Sequence, residues 1–259
     1  MDIPSSQTVI LQDAEGNPQI CDGVPLPELV PGSLLVRVKA VALNPCDYKM
    51  GATFPSPGSI VGNDFAGTVV RIHTATKTHI GMGDIVCGTV HGSNPAEHTN
   101  GAFAQYVRAP ADLVLRVPID LCIEQAATIG LGLTTAIVSL WEGGLRIGVS
   151  PTAPAATPFP VLVYGASTSA GTMALQLLRL SGVYPVATCS PGNFDPVRDR
   201  GAYVVFDNAK ADLSDSIREN TDGGLEYALD CIAGHQSVAY CYASICRSGG
   251  RYASLEAGP

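Results

Sequence analysis

The chain has eight cysteines but no Cys-x-x-Cys pair, which removes the commonest spacing for structural zinc and for a dithiol redox centre. Its five histidines, at 73, 79, 91, 98 and 235, show no metal-ligand spacing either. Lysines and arginines never run together and the net charge is −8, so there is no electrostatic footprint for nucleic acid, and any anionic ligand must be held by local groups. No uninterrupted apolar stretch approaches the ~18 residues that span a bilayer. The opening segment MDIPSSQTVI has neither a basic start nor an apolar run behind it, so the protein is expected to be soluble and cytosolic, with no membrane association. Several cysteines fall inside apolar segments, where they behave as small buried side chains, so no disulfide framework is expected. The chain does have an ordinary globular balance, 46% hydrophobic and 15% charged, and its 259 residues suffice for two domains with their own cores.

The most informative stretch is 161–171, Val-Leu-Val-Tyr-Gly-Ala-Ser-Thr-Ser-Ala-Gly. An apolar run with a strand's composition passes through a glycine- and hydroxyl-rich turn into the apolar-periodic segment Thr172 to Leu180. Strand, tight turn and helix in that order set backbone N–H groups and the positive end of a helix against a dinucleotide pyrophosphate. The fingerprint is incomplete: Gly165 and Gly171 are present, but Thr168 stands where a close-approach glycine is common. Hydroxyls of Ser167, Thr168 and Ser169 can compensate by donating to phosphate oxygens; on this stretch alone the alternative is an ordinary β-to-α turn.

The pattern repeats. Strands are expected at 184–190, 203–206, 226–231 and 251–255, with helices at 196–200, 213–220 and 235–246 between them, which describes a parallel, doubly wound sheet. The second strand ends in Cys189 and Ser190 with no acidic residue to take a ribose 2′-hydroxyl. Asp195, directly before Pro196, reads as a helix N-cap. Ser190, Asn193 and Arg198 offer neutral donors and a cation where a 2′-phosphate would sit, so NADPH is expected over NADH.

Residues 1–142 read as short strands between glycine and proline turns, clearest at 34–43, 67–72, 84–89 and 102–108, with helices at 123–128 and from about 133; this suggests a small barrel-like unit. Residues 143–160, with paired glycines and four prolines, read as an irregular connection, and 161–259 as the nucleotide-binding domain.

The order NPCDYKMG (44–51), GNDFAGTV (62–69), GDIVCG (83–88), GAFAQYV (101–107), AATIGLGLTTA (126–136) and then the turn at 165 resembles the medium-chain dehydrogenase/reductase superfamily in its zinc-free, quinone reductase-like branch. The resemblance implies an α/β protein made of a GroES-like β-rich barrel domain and a Rossmann sheet. Within that branch VLVYGASTS (161–169), LLRLSG (177–182), PVATCSPGNFD (185–195), YALDCI (227–232) and GGRYASL (249–255) resemble the trans-acting enoyl reductases of fungal polyketide synthases. The implied activity is NADPH-dependent reduction of an enoyl thioester presented by the acyl carrier domain of a partner synthase. A stand-alone quinone or enone reductase and a non-catalytic NADPH-binding remnant are the alternatives. Family members return to the barrel domain after a sixth Rossmann strand, so the sequence, which stops at Pro259, is expected to be truncated at its C-terminus.

The resemblance also implies a site. Cys46, Asp47, Tyr48 and Lys49 lie on a loop beside the nicotinamide and ribose, with Lys49 the leading catalytic candidate and Tyr48 the runner-up for proton donation. Thr135, also a catalytic candidate, opens a helix along the substrate channel through Ala136, Ile137, Val138, Ser139, Leu140, Trp141 and Glu142. Gly165 and Ser167 to Ala170 (Ser167, Thr168, Ser169, Ala170) take the pyrophosphate, and Ser190, Pro191, Gly192 and Asn193 with Arg198 take the 2′-phosphate. Asn208 replaces a stacking tyrosine, and Leu255 and Glu256 lie at the nicotinamide end. Zinc-dependent relatives place cysteine, histidine and glutamate where this chain has Asn44, Asn63 and Asp64, so no metal is expected.

Overall fold

A computed structural model describes residues 3–256. By its internal contacts the chain divides into two units, Met1–Leu131 and Gly132–Pro259. The division falls at 131, earlier than the expected boundary at 142, because the segment after it joins the second core: Ala136, Leu140 and Leu145 are completely buried there, and Ile147 packs with them.

The first unit opens with an antiparallel hairpin, β1 (Ser6–Gln12) and β2 (Pro18–Pro25). Then come β3 (Ser33–Ala42), α1 (Pro45–Thr53), β4 (Asp64–Ile72), β5 (Ile85–Thr89), β6 (Tyr106–Pro110), β7 (Val114–Arg116), α2 (Ile123–Ala127) and α3 (Gly130–Ile137), the last crossing the division. β3 to β7 form one antiparallel sheet in the order β6-β3-β4-β5-β7. Leu34, Val36, Phe65, Val69, Val86 and Val107 fill its core, all at 1% exposure or less. The strand expected at 102–108 forms later, as β6, because 102–104 bond instead toward the hairpin and β4's approach: Ile10 N–H donates to the Phe103 carbonyl at 2.8 Å, and Ala102 N–H to the Gly62 carbonyl at 2.9 Å.

In the second unit β8 (Pro160–Tyr164), α4 (Ser169–Leu180), β9 (Tyr184–Cys189), α5 (Phe194–Asp199), β10 (Val204–Asp207), α6 (Leu213–Asn220), β11 (Tyr227–Asp230), α7 (His235–Ser244) and β12 (Arg251–Ser254) alternate. The sheet is wholly parallel, in the order β10-β9-β8-β11-β12. Both faces are covered, which explains why the strands read as continuous apolar runs. Val161 and Val163 face a core shared with Leu175 and Leu178 of α4, while Leu162 and Tyr164 face one shared with Leu213 and Ile217 of α6 and Cys241 of α7. Chain direction across the sheet reverses between β8 and β11, the place where doubly wound sheets hold ligands.

Two local expectations are corrected. Asp195 does not cap α5: a 3₁₀ turn at Pro191–Asn193 runs straight into it, Asn193 occupies the N-cap, and Pro196 lies inside the first turn, where its missing N–H costs nothing. Residues 46–49 are not a loop but the first turns of α1, with Pro45 at the first helical position. All eight cysteines are free thiols. The apolar run Ile123–Glu142 is long enough to cross a membrane by composition, but it is broken into α2, α3 and a π-helical turn (Val138–Glu142) that bury Ala126, Ala136 and Leu140 in protein.

Candidate active site and cofactor turn

In the first unit the expected residues gather at the N-terminus of α1. Asn44 precedes Pro45 and takes the N-cap with extended backbone; the Asp47 carboxylate reaches back to the Asn44 N–H at 2.7 Å. The Asn44 side chain donates from Nδ2 to Asp64 Oδ2 at 2.8 Å. Asn63 donates to Asp47 Oδ1 at 2.6 Å and to Cys46 Sγ at 3.3 Å, and its own Oδ1 accepts from the Gly92 N–H. Asp64, 1% exposed, receives the Leu131 N–H on Oδ1 at 2.6 Å.

This is a low-dielectric pocket with two carboxylates in it. Burial pushes the Asp64 carboxyl up to about 6 and raises Asp47 as well; burial and the nearby Asp47 push the Cys46 thiol up to about 11. Tyr48 and Lys49, on α1, are both exposed. Between α1 and the β1–β2 hairpin opens a cavity of about 730 Å³. Its walls include Ile10, Leu43, Val61 and Phe103, with Asp47 and Tyr48 at one side, a mostly apolar lining with a few polar groups. Sequence reading found Asp47 and Tyr48 but not the hairpin that walls the cavity opposite them. The Asn-Pro pair at 44–45 was the signal that would have placed α1.

In the second unit the turn after β8 has the geometry a dinucleotide phosphate requires. Gly165 has φ +76°, and a Cβ there would lie 2.6 Å from Ile232 Cγ1, so only glycine fits. Thr168 is the N-cap of α4: its hydroxyl accepts from the Gly171 N–H at 3.1 Å and donates to the Gly165 carbonyl at 2.8 Å. That hydroxyl is therefore spent on the turn and is not a phosphate donor, contrary to the sequence-based expectation. What the turn offers an anion is backbone: among the described residues, the N–H groups of Ser167, Ser169 and Ala170 have no acceptor, and the Ser167 and Ser169 side chains are exposed.

The remaining expected residues divide. Asn193 Nδ2 donates to Ser190 Oγ at 3.0 Å, and Ser190, Pro191 and Gly192 are exposed just past the end of β9. Arg198 is held back on its own helix, paired to Asp195 at 3.1 Å and lying 5.4 Å from the centre of the Phe194 ring. Asn208 donates its backbone N–H to the Cys189 carbonyl, and Leu255 donates to the Asp230 carbonyl, placing both at the same sheet end as Gly165. The Glu256 carbonyl accepts from the Ser254 hydroxyl. Of the residues expected along the channel, Ala136 and Leu140 are wholly buried in the core and Trp141 is half-buried against it, with Nε1 donating to the Val149 carbonyl; Ile137, Val138 and Glu142 are exposed, while Thr135 and Ser139 are half-buried and joined, Ser139 Oγ to the Thr135 carbonyl at 2.7 Å.

Sequence reading missed Asp230. Fully buried at the end of β11, it accepts from the Ile232 and Ala233 N–H groups and from the Ser237 and Tyr252 hydroxyls, which fixes the loop that lays Ile232 over Gly165.

An antiparallel barrel-type sheet followed by a parallel 3-2-1-4-5 sheet with a phosphate-type turn after its first strand defines the class: a medium-chain dehydrogenase/reductase, which works with a nicotinamide cofactor. The family model of the alcohol dehydrogenase GroES-like domain matches residues 30–119. Among solved structures, an alcohol dehydrogenase superfamily protein from Novosphingobium aromaticivorans superposes with TM-score 0.80 at 25% identity, over 96% of this chain and 72% of that one. The mycobacterial Rv1454c complexed with NADPH gives TM-score 0.74 at 25% identity, over 98% and 75%. Trans-enoyl reductase TwmE of Talaromyces wortmannii is 47% identical over 98% of this chain and 72% of its own length, and RAP2 of Pyricularia oryzae is 46% identical over 100% and 73%. The chain belongs to the trans-enoyl reductases.

Proposed function

We propose that this enoyl reductase uses NADPH, without a metal ion, to reduce the α,β-double bond of enoyl thioesters carried on the acyl carrier domain of a partner polyketide synthase. The observation that carries the reading is the 43–47% identity, over 98–100% of the chain, to a run of trans-enoyl reductases.

The residues at the turn suit the cofactor. Glycine at Gly165 and close packing at Gly171, where a Cβ would lie 2.6 Å from the Gly165 carbonyl, keep the approach open, and the Ser167, Ser169 and Ala170 N–H groups supply donors for a pyrophosphate. Ser190 and Asn193, already paired, present the polar edge for a 2′-phosphate, and Arg198 can add positive charge only by leaving its pairing with Asp195. When bound, the dihydronicotinamide supplies hydride to the β-carbon. The protein supplies the proton for the α-carbon, from Lys49 first and Tyr48 second, and donors that steady the enolate. The half-buried Thr135 contributes to orienting the acyl group.

The donor set supports metal-free chemistry. Asn44 and Asn63 turn their amide N–H groups onto Asp64 and Asp47, and an amide nitrogen has no lone pair to give a cation. Reduction of a conjugated thioester needs only a hydride at the β-carbon and a proton at the α-carbon, whereas alcohol oxidation is harder to activate without a Lewis acid. The test is to mix purified protein with NADPH and an enoyl-pantetheine thioester and to follow loss of the dihydronicotinamide absorbance. Turnover is expected with NADPH, at a markedly lower KM than with NADH, and unchanged by chelator; absence of turnover on any enoyl thioester, free or carrier-bound, contradicts the reading.

A further inference from the structure

We propose that Asp64 is a positioning residue for the reduction, whose two carboxylate oxygens fasten the start of α1 and the start of α3 to one buried point of the sheet. The inference rests on the assignment of Tyr48 and Lys49 on α1, and Thr135 on α3, to the reaction. Asp64 is the first residue of β4, paired with Ala42 on β3 and Thr89 on β5, so its backbone is fixed from both sides. Oδ2 receives the Asn44 amide at 2.8 Å and Oδ1 receives the Leu131 N–H at 2.6 Å. Each oxygen therefore holds a different segment, one at the N-cap of α1 and one inside the first turn of α3.

Neighbouring residues are shaped around this double attachment. At Gly130 a Cβ would lie 2.6 Å from Asp64 Oδ1 and would collide with the Gly88 carbonyl, so the α3 backbone can reach the carboxylate only as glycine. Asn63, next in the chain, grips α1 a second time through Asp47 and Cys46. A carboxylate is an acceptor at both oxygens, whereas a carboxamide accepts at one and presents N–H at the other. Asp64→Asn therefore keeps size and shape but can hold only one of the two segments.

The experiment compares wild type, Asp64→Asn, Asn44→Ala and the reciprocal double variant Asn44→Asp/Asp64→Asn, which restores the 44–64 hydrogen bond with its polarity reversed. Amide hydrogen exchange is read by mass spectrometry beside NADPH affinity and steady-state kinetics. In Asp64→Asn, exchange over 45–53 is expected to speed up about tenfold while the parallel sheet keeps its protection. Its kcat is expected to fall about tenfold to a hundredfold, with NADPH affinity within about twofold, because a misplaced donor costs rate rather than binding. The double variant is expected to recover most of both changes. If Asp64→Asn does not fold, Asn44→Ala removes the same bond from its other end and is held to the same expectations. Exchange and kcat within about twofold of wild type, loss of protection throughout the chain, or a double variant no better than the single one would each overturn the proposal. A wild-type protein without turnover sinks the enoyl reductase assignment separately, and the local exchange data still decide whether Asp64 holds the two segments.

Discussion

At the scale of single residues, the chain spends side chains on shaping backbone where sequence alone suggested ligand contacts. Thr168 is the plainest case, since both hydrogen-bonding capacities of its hydroxyl are used in closing the turn onto α4. Thr168→Ala should lower stability by about 1 kcal/mol, the usual value of an N-cap, and Thr168→Ser much less, as thermal or urea unfolding will report. NADPH affinity should fall in the alanine variant because the turn loosens, not because a phosphate contact is lost. Asp64 gives a second residue-scale expectation. Its carboxyl titrates near 6 in the folded protein against 3.8 for the free group, so the fold binds the proton more tightly than the unfolded chain does. That contribution is fully present below pH 3.8 and is lost as pH rises through about 6, a change of up to about 3 kcal/mol. Urea unfolding of wild type and Asp64→Asn at pH 4 and pH 7 will show it: the wild type should lose stability relative to the variant between those values. Asp84 and Glu97, held low by a backbone or hydroxyl hydrogen bond and by their arginines, act in the opposite sense at lower pH, which is why the difference between proteins, not the raw profile, is the measurement.

At the scale of elements, α1 decides how Tyr48 and Lys49, the side chains proposed to react, are presented. A loop would leave Tyr48 and Lys49 to many conformations, whereas a helix begun by Pro45, capped through Asp47 and tied down by Asn63 gives them a fixed base. Lys49→Ala should reduce kcat by about 10²- to 10⁴-fold if its ammonium supplies the proton, with Tyr48→Phe giving the smaller loss; full turnover and unchanged NADPH affinity in Lys49→Ala would remove its role. α4 shows the complementary case of an element read correctly. Its apolar spacing places Ala174, Leu175 and Leu178 on the sheet at full burial, so the N-terminus must sit at the end of β8. The π-helical turn at Val138–Glu142, which buries Leu140, was invisible in sequence, because one extra residue per turn leaves the composition unchanged.

At the scale of the whole molecule, the chain forms two units with separate cores, with the glycine turn after β8 in one and the α1 cluster in the other. The proposed carrier-bound substrate should be preferred to the same acyl group free of the carrier. A carrier-domain enoyl thioester is expected to show a KM at least about tenfold below that of the same acyl group on pantetheine, with similar kcat, because the added contacts bind ground state and transition state alike. Equal KM values would point instead to a reductase of free small molecules.

The sequence by itself determined the strand-turn-helix at 161–180, the alternation that follows it, and the family to which the motifs point. These are local in origin: apolar periodicity, a glycine at positive φ and helix-breaking residues act over a few positions and leave their mark in composition. It also marked Asp47, Tyr48 and Lys49 as a group. Only the tertiary structure decided that they ride on a helix, that Arg198 is pinned to Asp195, that Ala136 and Leu140 are core, and that Asp64 joins residues 44 and 131. Those outcomes hinge on partners distant in the chain, and the physical reason is burial: a carboxylate taken out of water must find its donors wherever the fold brings them, which no window of neighbouring residues records.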